Sequence, residues 1–156
     1  VEVRSEAVSN RSGTVNLVEP ESGKNDGLAF VDRSGSTGVS VAAIRLDDLP
    51  ELAQRVPALL KVDVEGGEPE VFAGAKSLLT RRDAPSILFE SFEIERDAAL
   101  LRGAGYQLFQ PTLCEGTLGL TSNLTAPRYR RWEAPNYLAA KSERGLRFAQ
   151  ELARSK

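Results

Sequence analysis

A dense apolar strand that runs into two carboxylates, a glycine pair and a proline-opened helix constrains this chain more than any other feature. Ala58-Leu59-Leu60-Lys61-Val62-Asp63-Val64 carries the strand pattern, Glu65-Gly66-Gly67 turns the chain, and Glu68-Pro69-Glu70 opens the helix. Proline near the first helical position costs no hydrogen bond, and acids there meet the positive end of the helix dipole. Val71, Phe72, Ala75, Leu78 and Leu79 give that helix one apolar face. A second unit follows: Ser86-Ile87-Leu88-Phe89-Glu90 reads as a short strand, and Ile94, Ala98, Leu101 and Ala104 mark a helix ending near Gly105. Strands alternating with helices predict a parallel sheet in a doubly wound α/β fold.

The flanking segments are compatible with that class. Val1 to Val8 reads as extended, Asn10-Arg11-Ser12-Gly13 as a turn, and Thr14 to Val18 as the returning strand of a hairpin. Loops are expected over Glu19 to Gly27 and Arg33 to Gly38, with short strands over Leu28 to Val31 and Val39 to Leu46. Asp47 or Asp48 is the expected N-cap of a helix carrying Pro50, which Pro57 ends. Tyr106 to Phe109 and Asn136 to Ala140 read as strands joined by a long Gly-, Thr- and Pro-rich connection, and Ser142 to Arg154 as a closing helix.

Composition removes whole classes of chemistry. The 156 residues contain no His and one Cys, Cys114, so this chain can supply no imidazole, no internal disulfide, no CxxC pair and no zinc ribbon. With 22 acidic and 20 basic residues the formal net charge is -2, which gives no electrostatic case for nucleic acid as a partner. No apolar run approaches the ~20 residues that span a bilayer, and the single cysteine suits the cytoplasm. The charge is uneven: acids outnumber bases 19 to 12 up to Ala126, and bases outnumber acids 8 to 3 beyond it. The chain has no Met and begins at Val1, which suggests a piece of a longer protein.

Ligands of open α/β sheets bind beyond the carboxyl ends of the strands. Asp63 and Glu65 leave one such strand and Glu90 another, so neighbouring strands would bring three carboxylates to one sheet edge. Acids in an apolar strand are costly unless paired or useful. Two readings stand: the acids line a ligand site, or Glu65 and Glu68 cap the helix while Asp63 pairs with Lys61. Gly66 and Gly67 permit either a tight turn or a close ligand approach. No Walker-type or GxGxxG phosphate loop occurs. Arg128-Tyr129-Arg130-Arg131-Trp132 could hold an anionic or sugar ligand or form a surface turn. Cys114 is expected to be a small buried residue.

These residues carry a family resemblance. Arg45-Leu46-Asp47-Asp48-Leu49, followed by Leu60-Lys61-Val62-Asp63-Val64-Glu65-Gly66-Gly67-Glu68 and a helix with the Gly74-Ala75 step, resembles the pattern of FkbM-type methyltransferases. Ser86 to Ser91 is similar to that family's next strand, and Ala7-Val8-Ser9-Asn10 with Gly13 to its adenine-bordering turn. The resemblance implies the class I, Rossmann-like methyltransferase fold, S-adenosylmethionine as cofactor, and transfer to a hydroxyl of a sugar or secondary metabolite. It implies Asp63 at the methyl-transfer site, bordering the cofactor and serving as base, with Glu65 and Glu90 positioning substrate. Ala7 and Val8 would flank adenine, while Gly66, Gly67 and Glu68 would face substrate.

The resemblance covers only the second half of that family's domain, so residues 1–156 are expected to form one partial domain, inactive alone. The family's first strand and its acidic-x-Gly-x-x-x-Gly cofactor loop would lie outside it. Two other functions fit the residues. Asp63-x-Glu65 at a strand end is also compatible with a metal-dependent nucleotide-sugar transferase, and a domain lacking its cofactor loop could serve as an interaction module. Residue pattern leaves the acceptor and the oligomeric state open.

Overall fold

The computed structural model describes residues 2–18, 29–32, 37–114, 117–125 and 135–154. The basic-aromatic cluster 128–132 and the 19–27 loop lie outside these residues, as does the side chain of Cys114. Among the described residues nine strands form two sheets. The first holds β1 (Ala7–Val8), β2 (Gly13–Val18), β3 (Phe30–Asp32) and β4 (Val39–Ile44) in the order β1-β4-β2-β3. The second holds β5 (Leu59–Val62), β6 (Ser86–Glu90), β7 (Gln107–Cys114), β8 (Thr117–Thr121) and β9 (Asn136–Ala140) in the order β5-β6-β9-β7-β8. The described residues also hold a 3-10 turn (Leu46–Asp48) and five helices: α1 (Pro50–Gln54), α2 (Glu68–Gly74), α3 (Lys76–Thr80), α4 (Ile94–Gly103) and α5 (Glu143–Arg154).

The class is mixed α/β, and the all-parallel expectation needs correction. β5 and β6 are parallel, but β9 runs antiparallel to β6 and to β7 on either side of it. Two reversals restore direction, so β7 runs with β5 and β6. Asn136 to Ala140 carries no signal of direction, because its continuous apolar run fits either orientation. The hairpin expected across Asn10 to Gly13 does not form. Ala7 and Gly13 both pair with Ala43, from opposite sides of β4, so the chain passes around the end of β4. Ser12 pins that passage: its hydroxyl donates to Asp48 at 2.6 Å and accepts from the Arg45 N–H at 3.4 Å.

The core lies between the second sheet and its crossover helices. Leu60 and Val62 share a face with Ile87 and Phe89, and the register carries that face to Ala139 and Tyr137. Val71 and Phe72 from α2, Ala75 at its C-cap, and Ala98 and Leu101 from α4 cover it. Phe89 anchors the layer, edge-on to Phe72 at 5.4 Å between ring centres and 5.5 Å from Tyr137. On the other face, α5 approaches so closely that a Cβ at Gly145 would lie 2.4 Å from the Ser86 hydroxyl.

The helix expected from Glu68 to Leu79 is broken at Ala75 into α2 and α3. Asp47 supplies the reason. It does not cap α1, whose N-cap Leu49 has no side-chain bond. Its carboxylate instead accepts the N–H groups of Ser77 and Leu78 at 2.8 and 3.0 Å, capping α3 across thirty residues of chain. β7 also runs longer than expected and β8 was not foreseen. Pro111 disguises both. Past Phe109, β7 is paired among the described residues with β8 alone, so a residue lacking an N–H is tolerated there.

Candidate functional site

Two parallel strands deliver the carboxylates. β5 and β6 pair as far as Val62 and Phe89, and the next residue on each is acidic, Asp63 and Glu90. Asp63 is exposed and held by Lys61 at 2.6 Å, while Glu90 accepts the Asn136 side-chain N–H at 3.2 Å. Lys61 feels both acids, and its ammonium is held above the usual lysine range, chiefly by the Asp63 bond.

The turn beyond Asp63 is tightly specified. Gly67 N–H closes it onto the Val64 carbonyl at 3.1 Å, and both central residues have positive φ, Glu65 at 49° and Gly66 at 90°. Glycine adopts that region freely, whereas glutamate is strained there. Among the described residues Glu65 alone of the non-glycines has positive φ. Strain of this kind persists only where surrounding structure enforces it. The enforcing contact is Glu68, 3% exposed, whose Oε1 accepts long bonds from the Val64 and Gly66 N–H groups at 3.3 and 3.4 Å. Glu68 thus folds back from the first residue of α2 to hold the turn that precedes it.

This turn forms one wall of an open cleft of about 440 Å³ between the two sheets. Val8 and Ser9, at the end of β1, and Phe30 to Asp32 from β3 form another wall. Ser91 to Glu93, between β6 and α4, and Asp97 in α4 complete it. Gly74 sets the spacing of the walls, because a Cβ there would come within 2.0 Å of the Ser9 carbonyl. Of the sequence candidates, Val8, Glu65, Gly66, Gly67 and Glu68 meet in the cleft; Ala7, Asp63 and Glu90 stand outside its lining. Glu65 is itself exposed at the mouth of the cleft, and its carboxyl is raised, first by partial desolvation and then by the charges of Asp63, Glu90 and Glu68.

Ser91 and Asp97 were not candidates. Both are buried, at 3% and 1% exposure. The Ser91 N–H donates to the Pro135 carbonyl at 3.2 Å, and its hydroxyl accepts the Glu93 N–H at 3.0 Å. Asp97 is hydrogen-bonded to Ser91, yet its Oδ1 has no partner among the described residues. Burial pushes the Asp97 carboxyl up to about 6, with Glu68 and Glu93 adding to the rise while Ser91 and Arg96 oppose it. An aspartate on a helix surface position is ordinarily solvated, so sequence pattern offered no reason to single it out. Its position one helical turn before the apolar Leu101 was the available signal.

β5 and β6 each run into a carboxylate, and the turn beyond β5 faces a cleft between the sheets whose titratable lining is acidic, at the strand-end position where α/β domains place ligands. Comparison with family models gives the family. The Methyltransferase FkbM domain matches residues 4–108, two thirds of the chain, and the chain belongs to that family. Comparisons with curated proteins and with solved structures gave no significant match. The acidic-x-Gly-x-x-x-Gly letters occur once, at Glu21 to Gly27, after an antiparallel strand and outside the described residues. No helix among the described residues is long and apolar enough to cross a membrane.

Proposed function

We propose that the protein carrying these residues transfers a methyl group from S-adenosylmethionine to a hydroxyl oxygen of a sugar or secondary metabolite. The observation that carries this is the strained Glu65 turn at the end of β5, which sets a carboxyl of raised pKa in a cleft shared with Val8. The arrangement is read as the second half of a doubly wound, Rossmann-like class I sheet. Helices lie on both faces of the second sheet, and β9 is the reversed strand between β6 and β7.

The lining suits the cofactor. Val8 and Val31 offer apolar surface to a flat base. Bound S-adenosylmethionine supplies an electrophilic methyl group. The chain's own residues orient the acceptor hydroxyl and receive its proton, a task of positioning and general base catalysis. Glu65 is better placed than Asp63 for the proton, since Asp63 is paired with Lys61 and lies outside the lining. Asp63 and Glu90 act on Glu65 through their charge, Gly66 and Gly67 leave room for the acceptor, and Glu68 holds the turn. Ala7 positions Val8 through its pairing with Ala43.

A small-molecule acceptor, no nucleic acid and a cytoplasmic setting belong to the same proposal. The metal-dependent transferase gains no specific support, and among the described residues no three Asp, Glu, His or Cys side chains are grouped to hold a metal. Hydrogen exchange with and without S-adenosylmethionine tests the placement in the full-length protein. Added protection is expected at Val8–Ser9 and across residues 64–67. Protection confined to other segments would contradict it.

A further inference from the structure

Among the described residues, the Asp97 carboxylate is a buried charge without a full set of partners. It is 1% exposed, it lines the cleft, and one of its oxygens has no partner among the described residues. A buried carboxylate with an unmade hydrogen bond is costly, by roughly 1–3 kcal/mol or more for a charged group. Ser91 offsets only part of this, because its one hydroxyl proton can serve only one oxygen of the carboxylate. Arg96, the nearby cation on α4, is engaged elsewhere, at 3.4 Å from Glu70 and 3.8 Å from Glu93.

The surroundings indicate what would complete it. Asp32, Glu65, Glu68, Glu70, Glu93 and Asp97 line the cleft, and no Lys or Arg does so among the described residues. Two aromatic rings also line it, Phe30 at 42% and Phe92 at 59% exposure. Anionic ligands are disfavoured by such walls, and exposed rings offer flat apolar surface against which a saturated or aromatic ring can stack. Resting on the reading that this cleft receives the methyl acceptor, we propose that Asp97 and Ser91 form a subsite for a charged amino group on the acceptor, whose ring lies against Phe92 or Phe30. The acceptor class is thereby narrowed to amino-bearing rings, of which amino sugars are the simplest.

An ammonium group could also come from the amino-acid end of S-adenosylmethionine, so the test must separate the two sources. Calorimetric titration of the full-length protein at pH 7 would compare glucosamine with glucose and N-acetylglucosamine, which keep the ring but carry no charge. Glucosamine should bind about tenfold or more tightly than either, as a charge-assisted bond requires. Asp97→Asn should erase that preference while leaving S-adenosylmethionine affinity within about twofold, since a bond to the cofactor would cost far more. Equal binding of the three sugars by the wild-type protein would overturn the subsite without recourse to any variant. A preference that survives in Asp97→Asn would overturn it too, as would a loss of S-adenosylmethionine affinity in that variant. S-Adenosylmethionine binding without sugar discrimination would remove the subsite and leave methyl transfer standing.

Discussion

Glu65 and Asp97 are both held at an energetic cost, in different currencies. Glu65 occupies the left-handed region at φ 49°, which costs an L-residue with a Cβ on the order of 1 kcal/mol and costs asparagine less. Glu65→Asn should therefore raise stability by about 1 kcal/mol or less in urea denaturation, while lowering methyl transfer. At Asp97 the cost is desolvation. The folded protein holds its carboxyl near 6 against an ordinary 3.8, so between those values the native state binds more protons than the unfolded chain. Stability from this group is full below pH 3.8 and falls as pH rises through 6. Asp97→Asn removes the charge and should flatten that part of the stability profile. Above pH 7 it should be more stable than wild type by up to about 3 kcal/mol, at roughly 1.4 kcal/mol per unit. A variant less stable than wild type at pH 8 would contradict the burial argument. Glu65 was visible in sequence as an acid at a strand end. Asp97 was not, since its burial follows from α4 packing on α2 beside Ser91.

Turns and caps hold the site at the level of elements. Glu68 binds two N–H groups of the turn before its own helix, so Glu68→Ala should cost about 1–3 kcal/mol. Glu68→Gln keeps a carbonyl acceptor and should cost less than half of that. Equal losses in the two variants would show that charge, and not the acceptor, holds the turn. Gly74→Ala would drive a methyl group into the Ser9 carbonyl, and should destabilise by about 2 kcal/mol or more while weakening cofactor binding through the displaced β1 wall. The strand-turn-helix units at β5-α2 and β6-α4 were legible because local periodicity, glycine and proline all agreed there. Asp47 was misassigned because a capping side chain declares only that it seeks N–H groups. Ser77 and Leu78 are local to it in space alone. β8 escaped because Pro111 and Gly119 mask strand periodicity in a two-stranded extension supported by its own pairing and by α5.

Across the whole molecule, sequence gave the class and the strand ends but not the sheet arrangement. Nothing in the chain's periodicity distinguishes one sheet from two, nor shows that β4 lies between β1 and β2. That insertion places Val8 and Ser9 opposite the Glu65 turn and so creates the cleft. The absence of His removes imidazole from the groups that could carry a proton, and the titratable groups lining the cleft among the described residues are carboxyls. Asp63 and Glu65 stand two residues apart on opposite sides of that question: one is ion-paired outside the cleft, the other is strained at its mouth. The most direct measurement is methyl transfer from labelled S-adenosylmethionine to sugar acceptors by full-length wild-type, Glu65→Gln and Asp63→Asn proteins, with cofactor affinity measured alongside. Glu65→Gln should lose about 100-fold or more in turnover at nearly unchanged cofactor affinity, and Asp63→Asn should lose about tenfold or less through the altered charge on Glu65. Unchanged turnover in Glu65→Gln would contradict the assignment of the proton to this cleft.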